Sequence, residues 1–201
     1  MSIFVKTCVA AAVMAVAGLA QAAPVSAFTL TSRAGTLGLS GWTVGWSFNL
    51  NKDVTVTSVG FTTDTGLPSA VDNKVSIWKA DGTFVLSGTV PAGTAVVDSF
   101  SWTDVSVPTQ LTAGNYVIGA LIPDGHFQQN AAGTFSSEVT WTSGRFYSGA
   151  DAFPNNGGGD VLAAGVYQYF GPNFQYSVPE PTSLGLLGTG ALLVMRRRRA
   201  Q

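Results

Sequence analysis

Through residues 23–177 the apolar positions recur with the two-residue period of strands, and no stretch keeps the 3.6-residue period of a helix. At 74–79 the alternation sets Val75, Ile77 and Lys79 on one face and Lys74, Ser76 and Trp78 on the other. Runs of this kind predict strands at 27–33, 43–50, 54–61, 74–79, 83–90, 99–107, 115–121, 137–142, 145–148 and 165–177. Turn chemistry separates them. Asn51-Lys52-Asp53 joins one pair and Ala80-Asp81-Gly82 another, Asp-Gly being favoured in tight turns because glycine accepts the left-handed backbone. Short, evenly spaced strands without intervening helices predict an all-β domain. The expected form is an antiparallel two-sheet β-sandwich of jelly-roll or Greek-key type, with a closed barrel as the alternative.

The alternation stops at both ends. Residues 1–22 read as a signal peptide: Lys6 supplies the early positive charge, an Ala- and Val-rich apolar run follows, and Ala20-Gln21-Ala22 has the small-residue cleavage pattern. At the other end, Val178-Pro179-Glu180-Pro181 lies ahead of fourteen uncharged residues, 182–195, and then Arg196, Arg197, Arg198 and Arg199. The prolines resist both strand and helix, so this short segment is expected to be an extended, accessible linker. A helix over 182–195 would rise about 21 Å, short of the roughly 30 Å hydrocarbon layer, so it suits a temporary hold better than a permanent anchor. The arginines would keep their end cytoplasmic and leave Pro-Glu-Pro and everything before it outside. The chain thus divides into 1–22, a domain at 23–177 and a tail at 178–201.

This tail, with its Pro-Glu-Pro element, short apolar helix and basic end in that order, resembles the PEP-CTERM family of sorting signals. The resemblance implies recognition by a membrane-embedded exosortase, cleavage near Pro-Glu-Pro, and passage to the surface of a cell with a two-membrane envelope. Two inner segments, V-S-I-W-K-A-D-G-T-F-V-L-S-G-T-V at 75–90 and L-T-A-G-N-Y-V-I-G at 111–119, resemble a group of exported β-sandwich domains often found beside such tails. That second resemblance implies a fold and no activity.

Charge changes the picture at one point. The whole chain carries a net charge of -1, but half of its ten basic residues lie in the two end segments. Between residues 23 and 178, five basic residues face ten acidic ones, so the exported domain is acidic and offers no basic stripe for nucleic acid. The single cysteine, Cys8, sits within the signal peptide, which leaves the exported domain without a disulfide, a thiol nucleophile or a cysteine metal site.

Candidate chemistry is sparse. His126, in Asp124-Gly125-His126, is the one histidine and so the one imidazole base, yet no G-x-S-x-G elbow accompanies it. Glu138 is the only glutamate of the domain that could join a catalytic carboxylate pair. No catalytic residue is assigned and no cofactor is required. The cation considered is calcium, for which Asp151, Asn155, Asn156 and Asp160 supply oxygens in one glycine-bearing loop, and Asp64 and Asp72 flank another. Trp42, Trp46 and Trp78 are candidate sugar-stacking residues, set against the alternative that aromatic side chains in sheets pack the core. Trp42 and Trp46, four apart, share a face. The reading reached is a non-enzymatic exported protein, held transiently at the inner membrane and then placed at the cell surface or in the extracellular matrix. Its expected partners are signal peptidase, exosortase and exopolysaccharide; the alternatives are a carbohydrate-binding module and a secreted hydrolase.

Overall fold

A computed structural model describes residues 23–33, 35, 38–128, 130–149, 151–157, 166–167 and 169–179. Within it, Pro24–Val178 forms one compact unit. Residues 1–22, expected to be a signal peptide, lie outside the described residues, as do Glu180, Pro181, the apolar stretch, Arg196 to Arg199 and Asp160. Among the described residues no helix is long and apolar enough to cross a membrane.

The unit is all-β and antiparallel. One sheet holds β1 (Val25–Ser26), β14 (Pro172–Ser177), β4 (Val54–Phe61), β8 (Phe100–Leu111) and β7 (Val96–Val97), in that order. A second runs β12 (Asn156–Gly157), β11 (Val139–Ser148), β3 (Trp42–Leu50), β9 (Gly114–Ile122), β5 (Asn73–Lys79) and β6 (Phe84–Val90). A small third sheet joins β13 (Val166–Tyr167), β10 (Ala131–Phe135) and β2 (Phe28–Ser32).

The two large sheets pack as a β-sandwich because each has one apolar face to bury. Val44, Trp46, Phe48 and Leu50 of β3, with Tyr116, Ile118, Ala120 and Ile122 of β9, meet Val54, Val56, Val59 and Phe61 of β4 and Phe174 and Tyr176 of β14 in a single core. The spacing in β4 is irregular for a strand. A bulge between Val56 and Ser58 shifts the phase by one residue, so Val54 and Val56 keep the same face as Val59 and Phe61. The small sheet closes one flank of this core, and it depends on a glycine. A Cβ on Gly133 would lie 2.2 Å from the Thr29 carbonyl oxygen and 2.3 Å from the Phe28 ring, so only hydrogen fits where β10 crosses β2.

Four expectations need correction. Asn51-Lys52-Asp53 does not join neighbouring strands: β3 and β4 belong to different sheets, so this connection crosses the sandwich, and most neighbours in the large sheets are non-consecutive. The runs at 137–142 and 145–148 are one strand, β11, which stays continuous through an irregularity between Trp141 and Ser143. The run at 165–177 breaks into β13 and β14 around Tyr169, whose φ of 59° no strand accommodates. Ala131–Phe135 is a strand without a β-branched alternation to announce it, held by its pairing with β2. The Ala80-Asp81-Gly82 turn does form the predicted hairpin, with Gly82 at φ 89° and the Asp81 carboxylate accepting from Thr83 N at 2.9 Å.

Candidate functional site

The last strand of the domain runs toward the tail, and an ordered set of polar contacts surrounds it. β14 lies between β1 and β4, pairing Tyr176 with Val25 on one side and with Val56 on the other. Asn173, fully buried, ties its start to the beginning of the chain. Its carbonyl oxygen accepts from Phe28 N (3.2 Å) and Phe174 N (2.9 Å), and its amide donates to the Phe28 carbonyl (2.8 Å). The backbone repeats the link, Ala27 N donating to Phe174 O at 2.9 Å.

Tyr176 closes the strand at its other end. Its ring is fully buried, and its phenol donates to Glu138 Oε2 at 2.9 Å and shares a 2.6 Å hydrogen bond with Ser136 Oγ. Burial pushes the phenol pKa up to about 12, with the Glu138 charge adding to the shift. Glu138 is held below the ordinary glutamate range by the Ser137 hydroxyl, at 2.9 Å, and by the Tyr176 phenol; Lys52 Nζ stands 3.7 Å from Oε1. Ser177 pairs with Thr55 and is buried, Val178 packs against the core, and Pro179 is the first exposed residue. The expected accessible linker therefore begins one residue later than Val178, because Val178 is still part of the packed domain.

The three candidate tryptophans differ in exposure. Trp46 is fully buried, its Nε1 donating to the Pro172 carbonyl at 3.0 Å, with the Phe48 ring centroid 5.1 Å away. Trp78 is 6% exposed beneath Phe153, at 6.0 Å edge to face, and Trp42 is half-buried against Phe146. Stacking on a pyranose needs an open aromatic face, which the buried Trp46 and Trp78 do not offer, while Trp42 has one face against Phe146.

The loop acids are likewise engaged. Asp151 accepts from Lys74 Nζ at 2.5 Å, while Asn155 and Asn156 are exposed, Asn156 opening β12. Asp72 accepts from Ala92 N at 2.8 Å. Among the described residues no three His, Cys, Asp or Glu side chains gather as a metal site. His126 Nδ1 stands 3.3 Å from Asp64 Oδ1, the imidazole being 57% exposed. This is the acid and base part of a triad, but among the described residues no hydroxyl is hydrogen-bonded to the ring. Glu138 is a hydrogen-bond hub that takes the Ser137 hydroxyl and the Tyr176 phenol. Sequence reasoning missed Asn173 and Tyr176; a lone asparagine inside the apolar end of a predicted strand was the available signal.

Residues 177–199 match the family described as the PEP-CTERM protein-sorting motif. This chain carries that sorting signal, which implies export, processing by exosortase and transient membrane sorting to the surface. No curated protein matches the chain. The match starts at Ser177, so the motif and the domain share the last residue of β14.

Proposed function

We propose that this chain delivers an acidic, non-enzymatic β-sandwich to the cell surface or the extracellular polysaccharide matrix, where the sandwich acts through its outer surface. The observation that carries this reading is the sorting motif fused to the last strand of the domain. An exosortase cut near Pro-Glu-Pro would release the whole folded unit while leaving the four arginines behind. What is set free then carries the surplus of acidic residues counted between 23 and 178. Such a charge repels other acidic chains and favours a hydrated, dispersed state. The exposed His126 imidazole beside Asp64 is read as a loop contact rather than as the base of a hydrolase.

The test is localisation in the producing cell. The full chain should be shortened at its C-terminus and recovered outside the outer membrane, whereas a chain ending at Val178 should remain inside the envelope. Equal recovery outside from both chains would defeat the sorting reading.

A further inference from the structure

The sorting motif overlaps the domain, and this overlap has a physical cost for whatever cuts the tail. A cut upstream of Ser177 would remove residues of a central strand, and a cut after Pro181 would enter the apolar stretch. Only the peptide bonds of 178–181 remain. Enzymes that cut peptides bind several residues on each side of the scissile bond as an added strand, using main-chain hydrogen bonds. For a cut after Val178 those upstream residues are 175–178. The backbone of 175–177 is already paired with Ser58, Val56 and Thr55 on β4, and that of 175–176 with Ser26 and Val25 on β1. The same groups cannot serve both the sheet and the enzyme.

We propose that the end of β14 must peel from its sheet for the tail to be cut, and that the Tyr176 hydrogen bonds to Ser136 and Glu138 set how often it does so. The proposal rests on exosortase processing and adds a control to it. Three observations carry it. Tyr176 is the last core residue before the motif and is held at both its ring and its hydroxyl. Val178 is packed against the core, which leaves Pro179 as the first exposed upstream residue. On the β1 side, only the two-residue strand Val25–Ser26 has to be displaced, and Val25 is 43% exposed, so peeling has a short path. In the cut itself one peptide bond within 178–181 breaks. Water supplies a hydroxyl to the acyl carbon and a proton to the departing nitrogen.

The partner this predicts is an enzyme that takes an extended segment reaching back into β14, not one that reads Pro-Glu-Pro on a free linker. It also gives the folded domain a say in its own release. A domain that packs its last strand firmly is released slowly, and one with a loosened corner is released early.

Pulse-chase processing of the full chain in its producing cell tests this with four variants. Tyr176→Phe, which keeps the ring and removes the hydroxyl, should be processed about tenfold faster, the factor commanded by one hydrogen bond to a charged acceptor. Glu138→Gln should move in the same direction, and covers the case in which Tyr176→Phe fails to fold. A ten-residue Gly-Ser insert between Val178 and Pro179 should also speed processing and abolish the effect of Tyr176→Phe, since the enzyme would then bind linker. A merely structural role for Tyr176 would leave its effect unchanged by the insert. Arg196–Arg199 replaced by alanine should block processing. If that replacement blocks processing while the insert and Tyr176→Phe change nothing, the peeling proposal is overturned and exosortase sorting stands. If the arginine replacement leaves processing untouched, the sorting reading falls and the proposal falls with it.

Discussion

At the scale of single residues, the polar corner of Tyr176, Ser136, Ser137 and Glu138 makes stability respond to pH. Glu138 has its folded pKa lowered, first by the Ser137 hydroxyl and also by the Tyr176 phenol. A depressed carboxylate stabilises the fold in full above its ordinary value of 4.5 and loses that contribution as pH falls through the depressed value. Below 4.5, therefore, the urea midpoint of the wild-type domain should fall more steeply than that of Glu138→Gln. Superimposable profiles from pH 5 down to about 3 would show that the corner contributes no such linkage. Tyr176 acts at the opposite extreme: its raised value means that stability is complete below pH 10 and drains away as the pH climbs toward 12. Little of this was legible in the sequence. The spacing of Trp42 and Trp46 correctly gave them a common face, but periodicity does not say which face is the core. Both faces of β3 are covered, so either assignment fitted the pattern.

Among the elements, the segment between β11 and β12 shows how an outer sheet face becomes buried. Residues 151–154 lie across the face of the six-stranded sheet that points away from the core. Asp151 meets Lys74, Ala152 N donates to Thr43 Oγ1 at 3.4 Å, and Phe153 covers Trp78. Pro154 rests where Gly119 leaves room, a Cβ there lying 3.2 Å from the proline ring. The ion pair is partly exposed and contributes little on its own, about 0.5 kcal/mol. The apolar contact matters more. Phe153→Ala should therefore make Trp78 accessible, seen as a new acrylamide-quenchable fluorescence component that Trp78→Phe removes, while costing about 1 kcal/mol of stability. Quenching unchanged from wild type would mean that Phe153 does not shield the indole. The strands themselves were largely readable from alternation. What failed were the places where backbone geometry departs from it: the bulged β11, the Tyr169 break, and β10, whose Ala-Ala-Gly run is dictated by the tight approach of β2 and carries no pattern of its own.

For the whole molecule, the order of strands was beyond the reach of local pattern, because the partner of each strand is set by long-range packing. The sequence could place strands and the tail, but not the fact that the final strand would be flanked on both sides. That position makes the end of the domain indispensable. A chain of residues 23–178 should unfold in one cooperative transition, whereas 23–174, which drops Gln175, Tyr176, Ser177 and Val178, should show no native-like transition by circular dichroism. A folded 23–174 fragment would contradict the central placement of β14. The pairing of Val25 with Tyr176 has one more consequence. With its two ends side by side and antiparallel, the domain's backbone is almost a closed ring. A loop of about four residues from Val178 to Pro24 would complete it as an ordinary hairpin. The ring could then be opened at the exposed Ala80-Asp81 turn, giving a permuted protein with the same sheets whose tail departs from a different corner.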